Sequence, residues 1–346
     1  MKILHVIFSL TTGGTETMLV DIINEQSKTK EVHLIIVNNV FNERLIESID
    51  KKVTIHFLKR KPASKNPIPV LLFNYNVYKI NPTIIHFHNH NGITLLKYKT
   101  RAITCLTIHD VKIPESYFLR YKKIFSISNA VQKDVLERTA IKSIKVYNGI
   151  RFEDIKSKKD FTKTEKFKII QVSRLEHEKK GQDILIKAIS FLIKEKELKN
   201  IELNLIGEGN SLAYLKNLVK ELNIENNVNF FGVKTREFIY KELMNYQLLV
   251  QPSLYEGFGL TVVEGMAAKI PVLVSDIDGP MEIIDNGQYG YYFRSGDVKE
   301  CSEKILEIMN NLQTKEIKGK IEESYLYAKG SFNIKKTAIN YMNNYE

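Results

Sequence analysis

The chain has 346 residues, about twice the ~100–200 of a typical domain, so two domains of ordinary size are expected. With 43% hydrophobic and 26% charged residues it reads as a soluble globular protein, and no run approaches the ~18 apolar residues that would cross a bilayer. Two cysteines, Cys105 and Cys301, exclude a disulfide framework or a thiolate metal site and suit a reducing cytoplasm. The net charge of +11 belongs to one half: residues 1–160 hold 26 Lys+Arg against 14 Asp+Glu (+12), and residues 161–346 hold 25 against 26 (−1).

In chain order, MKILHVIFSL has the look of a signal peptide, but its apolar run is short and TTGGTET follows where a small-residue cleavage site belongs, so a buried first strand is expected. A helical pattern through ETMLVDIINEQS comes next, then VHLIIVNN, TIIHFHNH and CLTIHD, the βαβ rhythm of a parallel sheet. FSISNAVQKDVLE predicts a strand and then a helix capped by Ser128 or Asn129, and IKVYNGI a strand closed by an Asn-Gly turn. A first doubly wound α/β domain is therefore placed at 1–152. The polar, lysine-rich stretch 153–166 has no apolar period and is expected to be a linker. The rhythm then restarts with FKIIQVSRL, IELNLIGEG, VNFFGV, LLVQPS and PVLVSD, giving a second domain over 167–329. The last helical pattern, FNIKKTAINYMNNY within 330–346, is a candidate to pack back on the first domain.

Three loops carry chemistry. In FSLTTGGTET, Gly13 and Gly14 follow a strand and open a helix, where backbone can approach an anion or simply turn tightly; the GxGxxG dinucleotide fingerprint is absent. In VSRLEHEKKGQDIL, Arg174 and Lys180 are two cations near a strand end, able to clamp a diphosphate or to serve as surface residues, and Lys179 competes with Lys180. In LLVQPSLYEGFGLTVVE, a strand ends near Gln251 and a helix is predicted from about Leu260. This puts Glu256 at the carboxyl edge of the sheet and aims the amides of Phe258, Gly259, Leu260 and Thr261 at an anion. Glu264, one turn in, can take ribose hydroxyls or complement the helix terminus.

The run PSLYEGFGLTVVEGMAAKIPVLVSDIDGPMEII, with Glu256-x7-Glu264, resembles the family four group of retaining GT-B glycosyltransferases. GGTE, TIHD, SNAVQKDVL, VYNGI, SRLEHEKKGQDIL, LIGEGN and FFGV occur in the family's order over nearly the whole chain. Gly265 departs from the Ala of many relatives; Gly costs ~1 kcal/mol in a helix, so close packing is expected there. The resemblance implies two Rossmann-like domains facing each other across a cleft. It implies that Glu256 contacts donor-sugar hydroxyls, Glu264 binds the ribose, and Arg174 and Lys180 hold the departing diphosphate. It also implies that His109 lies near the donor sugar and that the Gly13–Gly14 loop closes over the diphosphate. No metal and no cofactor are then required: the nucleotide-sugar, a UDP-sugar by preference or a GDP-sugar, is a co-substrate, and the acceptor is a glycan or a polyprenyl-diphosphate-linked sugar.

His86, His88 and His90 share a face if their strand continues, a spacing that fits a metal as well as packing or cleft polarity. From Lys51 to His109 there are ten basic residues and no acidic one, a field suited to anionic lipid at the inner face of the cytoplasmic membrane; nucleic acid is not expected, because no recognition motif accompanies the charge. A glycoside phosphorylase or hydrolase using Glu256 and Glu264, or a silent nucleotide-sugar-binding module, are the rival functions.

Overall fold

The computed structural model describes residues 1–161 and 165–345, which divide into two compact units, Met1–Ile150 with Phe332–Glu346, and Arg151–Ser331. The first runs β1 (Lys2–Ile7), α1 (Gly14–Gln26), β2 (Glu31–Asn38), α2 (Glu43–Glu47), β3 (Thr54–Arg60), α3 (Ile68–Ile80), β4 (Ile84–Phe87), β5 (Ile103–Ile108), β6 (Lys123–Ser126), α4 (Asn129–Thr139) and β7 (Ile144–Lys145). The second runs β8 (Phe167–Val172), α5 (His177–Lys180), α6 (Gln182–Glu195), β9 (Ile201–Ile206), α7 (Leu212–Glu221), β10 (Val228–Phe230), α8 (Arg236–Glu242), β11 (Leu248–Gln251), α9 (Leu260–Ala267), β12 (Val272–Ser275), α10 (Asp278–Ile283), β13 (Tyr291–Phe293), α11 (Val298–Asn311) and α12 (Lys315–Ser331). The chain then returns to the first unit with α13 (Ile334–Tyr345).

Both sheets are wholly parallel, in the orders β3-β2-β1-β4-β5-β6-β7 and β10-β9-β8-β11-β12-β13. Each therefore reverses direction of winding beside its own first strand, between β1 and β4 and between β8 and β11. Ligands of open α/β sheets bind at the carboxyl ends of such strand pairs. Strands buried on both faces read as continuous apolar runs, which is why KILHVI, HLIIV and KIIQV announce themselves. Of the two candidate caps for α4, the Ser128 hydroxyl accepts from the Val131 N–H at 3.0 Å.

β3 and α3 give weaker signals and were not expected. β3 lies on a sheet edge with charged and polar residues alternating through it. α3 buries Phe73, Val77 and Ile80, yet its other face is also apolar, so no amphipathic period shows. IKVYNGI contributes only two residues of strand.

The stretch read as a linker is not free. Ile155 is buried, the Lys156 N–H donates to Tyr240 O at 3.1 Å and the Lys158 N–H to Ala268 O at 2.9 Å. Lys158 Nζ donates to Tyr246 O at 2.6 Å, and burial lowers its pKa to about 8. Backbone and lysine hydrogen bonds hold this segment on the second unit, an attachment that hydropathy does not register. Residues 162–164 of the expected linker lie outside the described residues. Among the described residues, no helix is long and apolar enough to cross a membrane.

Candidate active site

In the second unit β8 ends at Val172 and the next residues turn under the β9 loop. A Cβ on Gly207 would lie 2.0 Å from Ser173 O and one on Gly209 2.3 Å from Leu175 O, so LIGEG passes backbone to backbone against the SRL turn. Gln182 Nε2 pins the turn from α6, donating to Ser173 Oγ at 2.9 Å and Arg174 O at 2.8 Å. α5 ends at Gly181 with φ of +63°, where a Cβ would meet Pro252 O at 2.0 Å. That approach draws the loop after β11 onto α5, and the Leu254 N–H donates to Lys179 O at 2.9 Å.

The result is an ion pair between Lys180 Nζ and Glu256 Oε2, with side chains 16% and 15% exposed. At an effective dielectric near 20 such a pair is worth ~4 kcal/mol of gross attraction, much of it offset by desolvation. Gln251 Nε2 lies 3.5 Å from the same oxygen while donating to Ser253 Oγ at 2.8 Å. Lys179 turns away, its ammonium 4.9 Å from the Tyr255 ring centre. Arg174 is not brought to the pair: its side chain is 70% exposed and bonds Glu176 at 3.3 Å.

Gly259, at φ of +109°, starts α9, and no side chain caps that helix. Phe258 is buried, Thr261 Oγ1 donates to Val172 O at 3.4 Å, and Glu264 is half-buried on the helix's first turns. Behind the loop, a Cβ on Gly279 would lie 2.4 Å from Glu256 O, so α10 supports the Glu256 backbone directly. The close packing expected at Gly265 is present: its Cβ would lie 2.8 Å from Val272 Cγ1.

The first unit presents different chemistry at the equivalent strand ends. α1 begins at Gly14, and a Cβ on Gly13 would lie 2.2 Å from Glu16 Oε2, so the helix's own carboxylate rests against the glycine loop. The three-histidine strand face needs correction. The strand stops at Phe87 because residues 89–92 turn, with Gly92 N–H donating to Asn89 O and Tyr121 holding His90 O at 2.8 Å. His90 therefore leaves the row, and His5, the register partner of His86 on β1, takes the third place.

His5, His86 and His88 are buried and offer ring nitrogens within 4.8 Å of one another. Those nitrogens are already engaged. His5 Nε2 bonds Gln26 Oε1 at 2.8 Å and His5 Nδ1 bonds His88 Nε2 at 3.0 Å. His88 Nδ1 bonds His109 Nε2 at 3.1 Å, and His86 lies between Tyr345 OH and Thr107 Oγ1 at 2.7 Å each. Burial lowers the pKa of His5 and of His109 to about 4 and holds His86 and His88 well below 6.5, so all four are neutral near pH 7.

Residues 152–322, nearly the whole second unit, match the glycosyl transferases group 1 family. The chain carries a glycosyl transferases group 1 domain. An uncharacterized glycosyltransferase of Methanocaldococcus jannaschii is 29% identical over 270 residues, 70% of this chain and 72% of that protein. The N-acetylgalactosamine-N,N'-diacetylbacillosaminyl-diphospho-undecaprenol 4-alpha-N-acetylgalactosaminyltransferase of Campylobacter jejuni is 26% identical over 82% of this chain and 83% of its own. Among solved structures, Anabaena HepE in complex with UDP and glucose superposes with a TM-score of 0.84 at 19% identity, over 99% of this chain and 98% of that one. The likeness shows the fold, which is the GT-B fold with its two Rossmann-like units.

Several residues around these strand ends carry little signal in sequence. Gln251 and Gly279 are ordinary residues in ordinary runs, and only the packing of α10 beneath the loop gives Gly279 its place. Gln26 sits inside an amphipathic helix, and nothing local marks it as the partner of His5. His5 was the one detectable case, a polar residue in the centre of an apolar strand opposite HFH.

Proposed function

We propose that the chain transfers a sugar, with retention of anomeric configuration and without a metal, from a nucleotide-sugar to a hydroxyl of a glycan or polyprenyl-diphosphate-linked acceptor in cell-surface polysaccharide synthesis. The observation that carries this reading is the Lys180–Glu256 pair at the β8/β11 switch point, beside a glycine-started helix. An ammonium there meets a leaving diphosphate, the helix amides favour the same anion, and Glu256 is left to accept sugar hydroxyls. Glu264 takes the ribose. Arg174, now at the rim, would turn to the diphosphate when ligand binds. Gly13, Gly14 and His109 are the ligand-facing groups of the first unit. UDP is the preferred donor base, in line with the UDP bound by HepE; GDP is the alternative for the screen.

In this scheme the bond from the anomeric carbon to the diphosphate oxygen breaks and the acceptor oxygen bonds on the same face. The acceptor proton passes to the departing phosphate oxygen.

A panel of nucleotide-sugars with and without acceptor glycans tests the proposal: acceptor-dependent nucleotide release, unchanged by EDTA, is expected. Release without acceptor would indicate a hydrolase, and binding without turnover a silent module.

We further propose that the enzyme works at the cytoplasmic face of the membrane, with α3 as its contact. Ile68, Leu71, Leu72, Tyr75 and Tyr78 form one outward stripe at helical spacing, with Leu71 66% and Tyr78 76% exposed, inside the basic, acid-free stretch from Lys51 to His109. Apolar insertion and attraction to anionic headgroups then act together.

A further inference from the structure

The two cations assigned to the diphosphate each rest on a carboxylate of the same unit. Arg174 bonds Glu176 at 3.3 Å with the side chains 70% and 36% exposed, and Lys180 bonds Glu256 with the side chains 16% and 15% exposed. The two pairs differ in what it takes to part them. Water replaces either partner of the exposed pair, so that pair opens freely. In the sheltered pair, taking one partner away leaves the other charge in a partly desolvated site, which is costly.

Backbone contacts anchor both members of the sheltered pair. The Lys180 N–H donates to Glu176 O at 2.7 Å and Lys180 O accepts from Gln171 Nε2 at 2.9 Å, while Gly279 stands directly behind Glu256 O. Within the carboxylate the two oxygens have different surroundings. Oε2 meets Lys180 Nζ and has Gln251 Nε2 at 3.5 Å; Oε1 takes no hydrogen bond from a described residue and is not sealed from solvent. An ammonium carries three donors, so Lys180 also keeps hydrogens beyond the one it gives Glu256. The pair therefore offers a ligand one open carboxylate oxygen and spare ammonium hydrogens side by side, with no net charge.

We infer that Glu256 is a specificity-determining residue that sets a nucleotide-sugar apart from the free nucleoside diphosphate. A ligand with a hydroxyl-bearing group next to its diphosphate satisfies both halves of the pair at once: phosphate oxygens take ammonium hydrogens, and a hydroxyl donates to Oε1. A nucleoside diphosphate draws on Lys180 alone. It competes with Glu256 for the ammonium and returns nothing to the carboxylate, so its affinity is held down. After transfer the sugar is gone and the remaining nucleotide is the weaker ligand, which favours its release. That these ligands are a nucleotide-sugar and its diphosphate rests on the function proposed above.

Isothermal titration of UDP, and of GDP in parallel, into the full chain tests the inference. Glu256→Gln is expected to bind the nucleoside diphosphate about tenfold more tightly than wild type, the scale of one coupled charge pair. Glu256→Asp keeps the charge but draws it back from Lys180, so it should also tighten binding; it serves equally if Glu256→Gln does not fold. On a Lys180→Met background the gain from Glu256→Gln should fall below about threefold, because the gain comes from releasing Lys180. Glu176→Gln should leave affinity within about twofold of wild type, since the exposed pair opens freely. The UDP- or GDP-sugar that wild type binds best should gain less from Glu256→Gln than its bare nucleotide does. No tightening in either Glu256 variant, a full gain without Lys180, or an equal gain for the nucleotide-sugar would each overturn the inference while leaving the donor reading in place. Binding of neither nucleotide nor any nucleotide-sugar to wild type or variants would instead remove the donor reading, and the inference with it.

Discussion

The two units share a winding and differ in what they place at its reversal. Where β1 meets β4 the first unit holds neutral imidazoles, His5, His88 and His109 hydrogen-bonded in a row with His86 beside them; where β8 meets β11 the second holds an ammonium against a carboxylate. The topology makes a place for a ligand in both, and the side chains decide its kind. The neutral row turns its nitrogens on one another and on Gln26, Tyr345 and Thr107. A cation beside helix amides offers charge to a phosphate. One fold can therefore supply complementary chemistries from the same pair of strand ends.

The sharpest way to break this contrast is to remove charge from the second unit. Lys180→Ala and Arg174→Ala should each lower turnover at least ~100-fold in nucleotide-release assays. They should differ in stability: Lys180→Ala leaves Glu256 in a partly desolvated site without its partner and should lower Tm, whereas Arg174 is exposed and its loss should leave Tm unchanged. Near-normal turnover in both would remove the diphosphate clamp, and a crippled Lys179→Ala with an active Lys180→Ala would move the role one residue.

Acid should act on the other unit. His5 and His109 have folded pKa values of about 4 against 6.5 in the unfolded chain, and His86 and His88 are lowered as well. Between those values the unfolded state binds more protons, so stability is intact above pH 6.5 and falls as pH drops toward 4. The loss, complete only below pH 4, is on the order of 3 kcal/mol for a histidine shifted this far. Hydrogen exchange compared at pH 7 and pH 5 should show β4 losing protection relative to β11; equal loss in the two sheets would remove the distinction.

Smaller again is the backbone support of the charged site. Gly181→Ala forces a side chain into a left-handed residue with Pro252 O in its way, and a cost of about 1–3 kcal/mol in chemical denaturation is expected. The least effect is assigned to α3, where Leu71→Ser with Tyr75→Ser should weaken co-sedimentation with anionic vesicles several-fold at low salt and leave turnover on soluble acceptors alone. Equal sedimentation with neutral vesicles would count against the lipid surface.

The sequence by itself determined the doubly wound class, the strand and helix runs from KILHVI to PVLVSD, the Ser128/Asn129 helix start and the helix beginning at Leu260, because hydrophobic period and glycine placement are local properties. It also nominated both carboxylates and both cations of the second unit. Only the tertiary structure decided that Lys180 meets Glu256 while Arg174 stands at the rim, that Gly279 backs the loop, that residues 153–161 are held on the second unit, and that His5 rather than His90 completes the histidine row. These depend on groups far apart in the chain, such as Lys180 and Glu256 or Lys158 and Ala268, or on where a strand stops. Pairing of that kind is set by sheet register and close backbone approach, which leave no period in the chain for a reader to find.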